Sequence, residues 1–76
     1  MNQSEPTRTR LIADLEAERE RLGLTHQAFA RHLRVNQATW SCVRRGLQRP
    51  SPRLLLGVIG RFPELTDDAI ALVDAA

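Results

Sequence analysis

Lysine and tyrosine are both absent from this 76-residue chain, cysteine occurs once, at Cys42, and the aromatic residues are Phe29, Trp40 and Phe62 alone. A single thiol excludes an internal disulfide and a cysteine-based zinc cluster, and it fits a reducing compartment. No apolar run approaches the ~20 residues of a membrane span, and the polar, proline-containing start Met1 to Thr9 has no signal-peptide core. These absences predict a soluble, cytoplasmic protein. Also missing are sustained period-2 alternation and any Asn-Gly or Asp-Gly hairpin signal, which argues against β-sheet classes. Length sets a further limit. A chain this short buries only about 60–65% of its unfolded surface, leaving little stability for the strained residues and unpaired charges of a catalytic cleft. One folded domain over residues 1–76, without enzymatic activity, is therefore expected.

The most informative absence is of one sign of charge. From Gly23 to Phe62 there is no Asp or Glu, whereas seven arginines fall there: Arg31, Arg34, Arg44, Arg45, Arg49, Arg53 and Arg61. Residues 1–22 carry four Arg against five acids, and the last fourteen carry Glu64, Asp67, Asp68 and Asp74 with no cation, so the formal net charge of +2 conceals a +7 centre. Such a field suits a polyanion: nucleic acid, an anionic membrane surface or an acidic protein.

Apolar residues recur at three and four, so the chain reads as all-α. A first helix is predicted over about Thr7–Leu22, with Leu11, Ile12, Leu15 and Leu22 inward and Gly23 ending it. Thr25 is placed as the N-cap of a short helix, His26–Leu33, with Phe29, Ala30 and Leu33 on one stripe. Asn36 opens a third helix, Gln37–Arg45, in which Thr39, Trp40 and Val43 face one way and Gln37, Ala38, Ser41, Cys42 and Arg45 the other; Gly46 closes it. Ser51 as N-cap with Pro52 at the first position starts a fourth, carrying Leu54, Leu55, Val58, Ile59 and Phe62 until Pro63. A fifth helix, about residues 66–75, is predicted with Thr66 as cap, Asp67 and Asp68 favouring the dipole, and Leu65 with Ile70 as a hydrophobic staple.

The stretch LTHQAFARHLRVNQATWSCVRRG, residues 24–46, resembles the helix-turn-helix of the Cro and lambda-repressor-like (Xre) family, and with the flanking helices the resemblance covers about residues 11–62. The matching positions are the Thr25 cap, Ala30 where two helices cross with room for no more than a methyl group, Val35 in the turn, Gln37-Ala38-Thr39 opening the third helix, and Arg45-Gly46 at its end. Three departures accompany them. Arg34 stands where the family usually has glycine, a turn position suited to positive φ. Trp40 replaces an Ile or Val of the core and brings an indole N–H with it. Glu18 occupies a usually apolar position, while helix 2 offers Gln27 and Ala28 where an acid commonly pairs with the helix-1 arginine, here Arg19.

The resemblance implies a compact five-helix lambda-repressor-like domain with the helix-turn-helix at about 25–45, acting as a stand-alone transcriptional repressor or autorepressor. Its recognition helix, about 37–45, would lie in the major groove, which admits one α-helix and is read by amide, hydroxyl, guanidinium and small apolar groups. Base reading then falls to Gln37, whose amide matches adenine N6 and N7, and to Ala38, Ser41, Cys42 and Arg45. Phosphate contact falls to Thr25, His26, Asn36, Arg44, Arg49 and Arg53. Small members of the family usually act as homodimers on inverted-repeat operators, with recognition helices about 34 Å apart. Ile70, Leu72 and Val73 offer more apolar surface than docking a short tail needs, so Ile70 and Val73 are candidates for a dimer interface; the competing reading is that the fifth helix only closes the core. No cofactor, metal or small-molecule effector is indicated, since His26 and His32 lie six apart with no carboxylate or thiol companion on their helix.

Rival classes leave different traces. An enzyme needs a base oriented by a carboxylate, which the basic region lacks. A membrane-surface peptide needs one long amphipathic helix, and here caps and prolines cut the basic region into pieces. The remaining alternative is a protein-interaction module of the same fold, an antitoxin or adaptor, that binds an acidic partner.

Overall fold

Helix stop signals every ten to twenty residues give the chain its architecture. The computed structural model describes residues 4–75, with Met1–Gln3 and Ala76 of the expected 1–76 domain lying outside the described residues. It is all-α: α1 (Ser4–Leu22), α2 (His26–His32), α3 (Gln37–Arg44), α4 (Pro52–Arg61), a 3₁₀ turn (Pro63–Leu65) and α5 (Thr66–Ala75), with no strand among the described residues. None of these helices is long and apolar enough to cross a membrane.

The three middle helices begin in the same way. The side-chain oxygens of Thr25, Asn36 and Ser51 accept from the backbone N–H groups of Ala28, Thr39 and Leu54, at 3.1, 2.7 and 3.2 Å, satisfying donors that the first helical turn leaves free. α1, α2 and α3 also share one ending, a Schellman motif. Two or three residues beyond the helix a backbone N–H returns to a carbonyl five residues back, as from Leu24 to Arg19, Val35 to Ala30 and Leu47 to Cys42. The motif needs a left-handed residue just before that donor. Gly23 (φ 69°) and Gly46 (φ 78°) supply it without strain, and Arg34 (φ 63°) supplies it as the one non-glycine residue at positive φ among those described.

Packing follows the predicted stripes. Leu11 and Leu15 of α1, Phe29 and Ala30 of α2, Trp40 and Val43 of α3, Leu54, Leu55 and Val58 of α4, and Ala69 and Leu72 of α5 form one buried core, closed by Leu33 and Phe62. Phe29 is its centre, with ring centroids 5.1 Å from Trp40 and 6.0 Å from Phe62. α5 packs on both α1 and α4. Arg10 on α1 ties the first of these contacts with a bidentate grip on Asp68, Nε to Oδ2 at 3.1 Å and a terminal guanidinium nitrogen to Oδ1 at 2.9 Å.

α4 crosses the end of α2 more closely than any side chain would allow. A Cβ built on Gly57 would stand 2.2 Å from the carbonyl oxygen of Leu33. Beside this crossing, Arg61 Nε donates to the His32 carbonyl at 3.0 Å, so α4 also satisfies an acceptor at the C-terminus of α2.

Three expectations need correction. Thr66 is not an N-cap: its backbone is already helical (φ −58°, ψ −43°), because Pro63 starts a 3₁₀ turn that runs directly into α5. The staple loses its frame for the same reason, and Ile70 points outward, 48% exposed, while Leu65 rests on the core. Leu22, expected to face inward, is 39% exposed, since it sits on the last turn of α1 next to the chain reversal at Gly23.

Candidate nucleic-acid interface

α3 is anchored by Trp40 and Val43, both fully buried. At 100° per residue, the arc opposite these anchors carries Ala38, Ser41, Cys42 and Arg45, with Gln37 at its edge. Gln37, Ala38 and Arg45 are exposed, and Ser41 and Cys42 are half-buried. The five residues expected to read bases therefore share one outward face. Arg45 ends the helix as its C-cap (φ −84°, ψ 0°) and does not lie within it.

The residues expected to hold phosphate divide into groups. At the start of α2, Thr25 uses its hydroxyl oxygen for capping. His26 Nδ1 accepts the indole N–H of Trp40 at 3.2 Å, with Glu16 Oε1 3.9 Å away; in the neutral ring this bond puts the proton on Nε2, the nitrogen then free to donate to an external acceptor. Asn36 likewise spends its Oδ1 on the α3 cap and keeps its amide N–H groups. It shares a concavity with Arg53, and Arg31, Arg34, Val35, Thr39 and the Ser51 cap complete the wall. Arg49 is exposed in the loop that follows α3. Arg44 behaves differently: four residues after Trp40, it lies along the flank of α3, half-buried, with Nε enclosed and meeting no hydrogen-bond partner among the described residues.

Arg31 and Arg34 carry no role in the sequence reading, and the structure brings both beside Asn36 and Arg53. Their three-residue spacing across the end of α2 was the available signal. Without knowing that the N-terminus of α4 returns to this place, it carried no direction. Arg34 and Arg53 also line a neighbouring groove over α4, so positive charge continues from one concavity to the next.

The unusual pairing expected around Arg19 has a local solution. Its terminal guanidinium nitrogen donates to the Leu24 carbonyl at 2.8 Å, and Nε faces Glu16 Oε1 at 3.5 Å. Arg19 thus braces the α1–α2 turn without an acid on α2. Glu18, for its part, is half-buried in register with Leu11 and Leu15 and accepts from Arg21 Nε at 2.7 Å.

On α5, Leu72 belongs to the core, whereas Ile70 and Val73 are 48% and 42% exposed. The helix therefore closes the core and leaves apolar surface over. No family model matches the chain, and neither a curated protein nor a solved structure matches it significantly.

Proposed function

We propose that the chain is a sequence-specific DNA-binding repressor or autorepressor of the cytoplasm, with α2 and α3 as its helix-turn-helix and α3 as its reading element. The observation that carries this reading is the outward face of α3, which presents an amide, small side chains and Arg45 in the middle of forty residues without a carboxylate. Gln37 reads a base, and Ala38, Ser41, Cys42 and Arg45 complete the contact. His26 Nε2 at one end of the helix pair, and Asn36 with Arg49 and Arg53 at the other, hold the two phosphate backbones. Two copies bind an inverted repeat, with Ile70 and Val73 in the contact between them.

Selection of bound fragments from random duplexes tests the reading directly. It is expected to return an inverted repeat, bound with an affinity that falls linearly in log salt at about −0.9 per phosphate neutralised. Recovery of no preferred sequence, together with salt-sensitive capture of an acidic protein, would overturn it in favour of an interaction module.

A further inference from the structure

The outer face of α5 is acidic and apolar. Asp67, Ile70, Ala71 and Val73 are exposed on it, Glu64 is exposed just before it, and no cation occurs after Arg61. Two such faces laid against each other would set carboxylates opposite carboxylates, a juxtaposition that opposes association. A face of the opposite character lies on the same chain. Along α4, Leu56 stands 66% exposed and, one turn on, the space where a Cβ of Gly60 would stand is open; Gly57, whose Cβ position is taken by the Leu33 carbonyl, lies between them. Arg34, Arg53, Arg61 and His32 rim this groove, and no acid occurs anywhere between Gly23 and Phe62 to neutralise it.

We propose that the α4 groove receives α5 of a second copy of this chain. Ile70 and Val73 seat over Leu56 and Gly60, while Glu64 and Asp67 meet Arg34 and Arg61. Glycine permits the close approach of the two helix backbones, and the paired charges fix their direction. Each copy owns one groove and one α5, so reciprocal docking makes the contact twice and closes a two-fold dimer. Arg53, at the end of the groove nearest the start of α3, stays with the DNA-facing concavity it also lines. The inference deepens the proposed dimer by naming what Ile70 and Val73 touch, and it rests on that reading.

Sedimentation equilibrium of Leu56→Asp, Val73→Asp and Asp67→Arg tests it, with circular dichroism confirming the fold of each. Leu56→Asp changes an exposed side chain and is expected to raise the dimer dissociation constant about a hundredfold or more, because a carboxylate would be desolvated against Ile70. Asp67→Arg is expected to weaken dimerisation as well. An equimolar mixture of Leu56→Asp and Asp67→Arg is expected to regain dimer. One of its two contacts is then native and the other carries both substitutions, whereas in either variant alone both contacts carry one. A Leu56→Asp protein that dimerises normally while Val73→Asp does not would overturn the groove and leave an α5-to-α5 dimer standing. Wild-type protein that stays monomeric at high concentration would overturn the groove and the dimer together. Mass growing beyond the dimer with concentration would overturn the reciprocal closure.

Discussion

The indole N–H of Trp40 donates to Nδ1 of His26, so a fully buried side chain of α3 holds the first residue of α2 in place. One hydrogen bond thereby connects the packing of the core to the orientation of a group expected at a phosphate. It also answers the problem posed by a tryptophan in the core, whose N–H must find an acceptor or remain unsatisfied.

His26→Ala is accordingly expected to cost about 1–3 kcal/mol, the penalty for an orphaned buried donor. For a domain of this size each kcal/mol lowers the melting temperature by roughly 4–8 °C. Thermal unfolding followed by circular dichroism checks this, and an unchanged midpoint would show that the indole finds another partner.

Arg34→Gly is expected to stabilise. A left-handed conformation costs a side-chain-bearing residue roughly 1–2 kcal/mol, and the added freedom of glycine in the unfolded chain returns about 0.5–1 kcal/mol of that gain. A net rise of about 0.5–1 kcal/mol in urea denaturation is the expected result. The α1 and α3 endings, already glycine at the same position, provide the structural precedent.

The two glycines of α4 are expected to respond in opposite directions. Gly57→Ala drives a methyl group into the Leu33 carbonyl and is expected to lose about 2 kcal/mol or more, ~1–3 being usual for overpacking without a backbone clash. Gly60→Ala meets open space within one copy and, at concentrations low enough to keep the chain monomeric, is expected to gain up to about 1 kcal/mol of helix propensity. Melting temperatures of the pair, measured together, separate the crossing from general helix preference.

Acid is expected to weaken the α1–α5 junction. Hydrogen bonds from Arg10 hold the Asp68 carboxyl below its ordinary 3.8, against the opposing effect of burial and with a lesser contribution from the Arg10 charge. A folded value below the unfolded one means that the contribution is complete above about pH 4 and is lost as pH falls through the folded value. Asp68→Asn is expected to flatten the stability profile in that window and leave its shape at neutral pH unchanged, which acid titration of the two proteins by circular dichroism checks. Because Arg10 is exposed and Asp68 only half-buried, added salt is expected to shrink the difference.

At the proposed DNA interface, base and backbone contacts are expected to separate in binding assays. Gln37→Ala is expected to cost about 1–3 kcal/mol on the preferred operator and little on random duplex. Arg49→Ala is expected to weaken both alike and reduce the salt slope by about 1. Equal losses for Gln37→Ala on both duplexes would remove it from base reading.

Helix limits were legible because they are set by local chemistry. Thr25, Asn36 and Ser51 cap, and Gly23 and Gly46 terminate, wherever they occur in a chain with these neighbours. Thr66 failed as a cap because a proline three residues earlier had already begun a turn, and the same threonine in another setting would have served. The outward face of α3 was also legible, since a helical period and two large apolar residues suffice to orient it. Gly57 and the meeting of Arg31 with Arg53 were not. Both depend on where α4 crosses α2, and a glycine or an arginine in a helix carries no local mark of what will approach it from elsewhere in the fold.

Arg10 and Asp68 stand 58 positions apart, and the junction they tie joins the first helix to the last. A chain made from its N-terminus at about 5–20 residues per second exposes α1 first, and α1 must then wait several seconds for α5. During that interval Leu11 and Leu15 lack part of the cover they have in the finished domain, while α2, α3 and α4 already have one another. Birth order and closing order are thus opposed in this domain: α1 is completed by α5, which is made after every helix between them, and its apolar stripe stays part-covered until Leu72 has emerged.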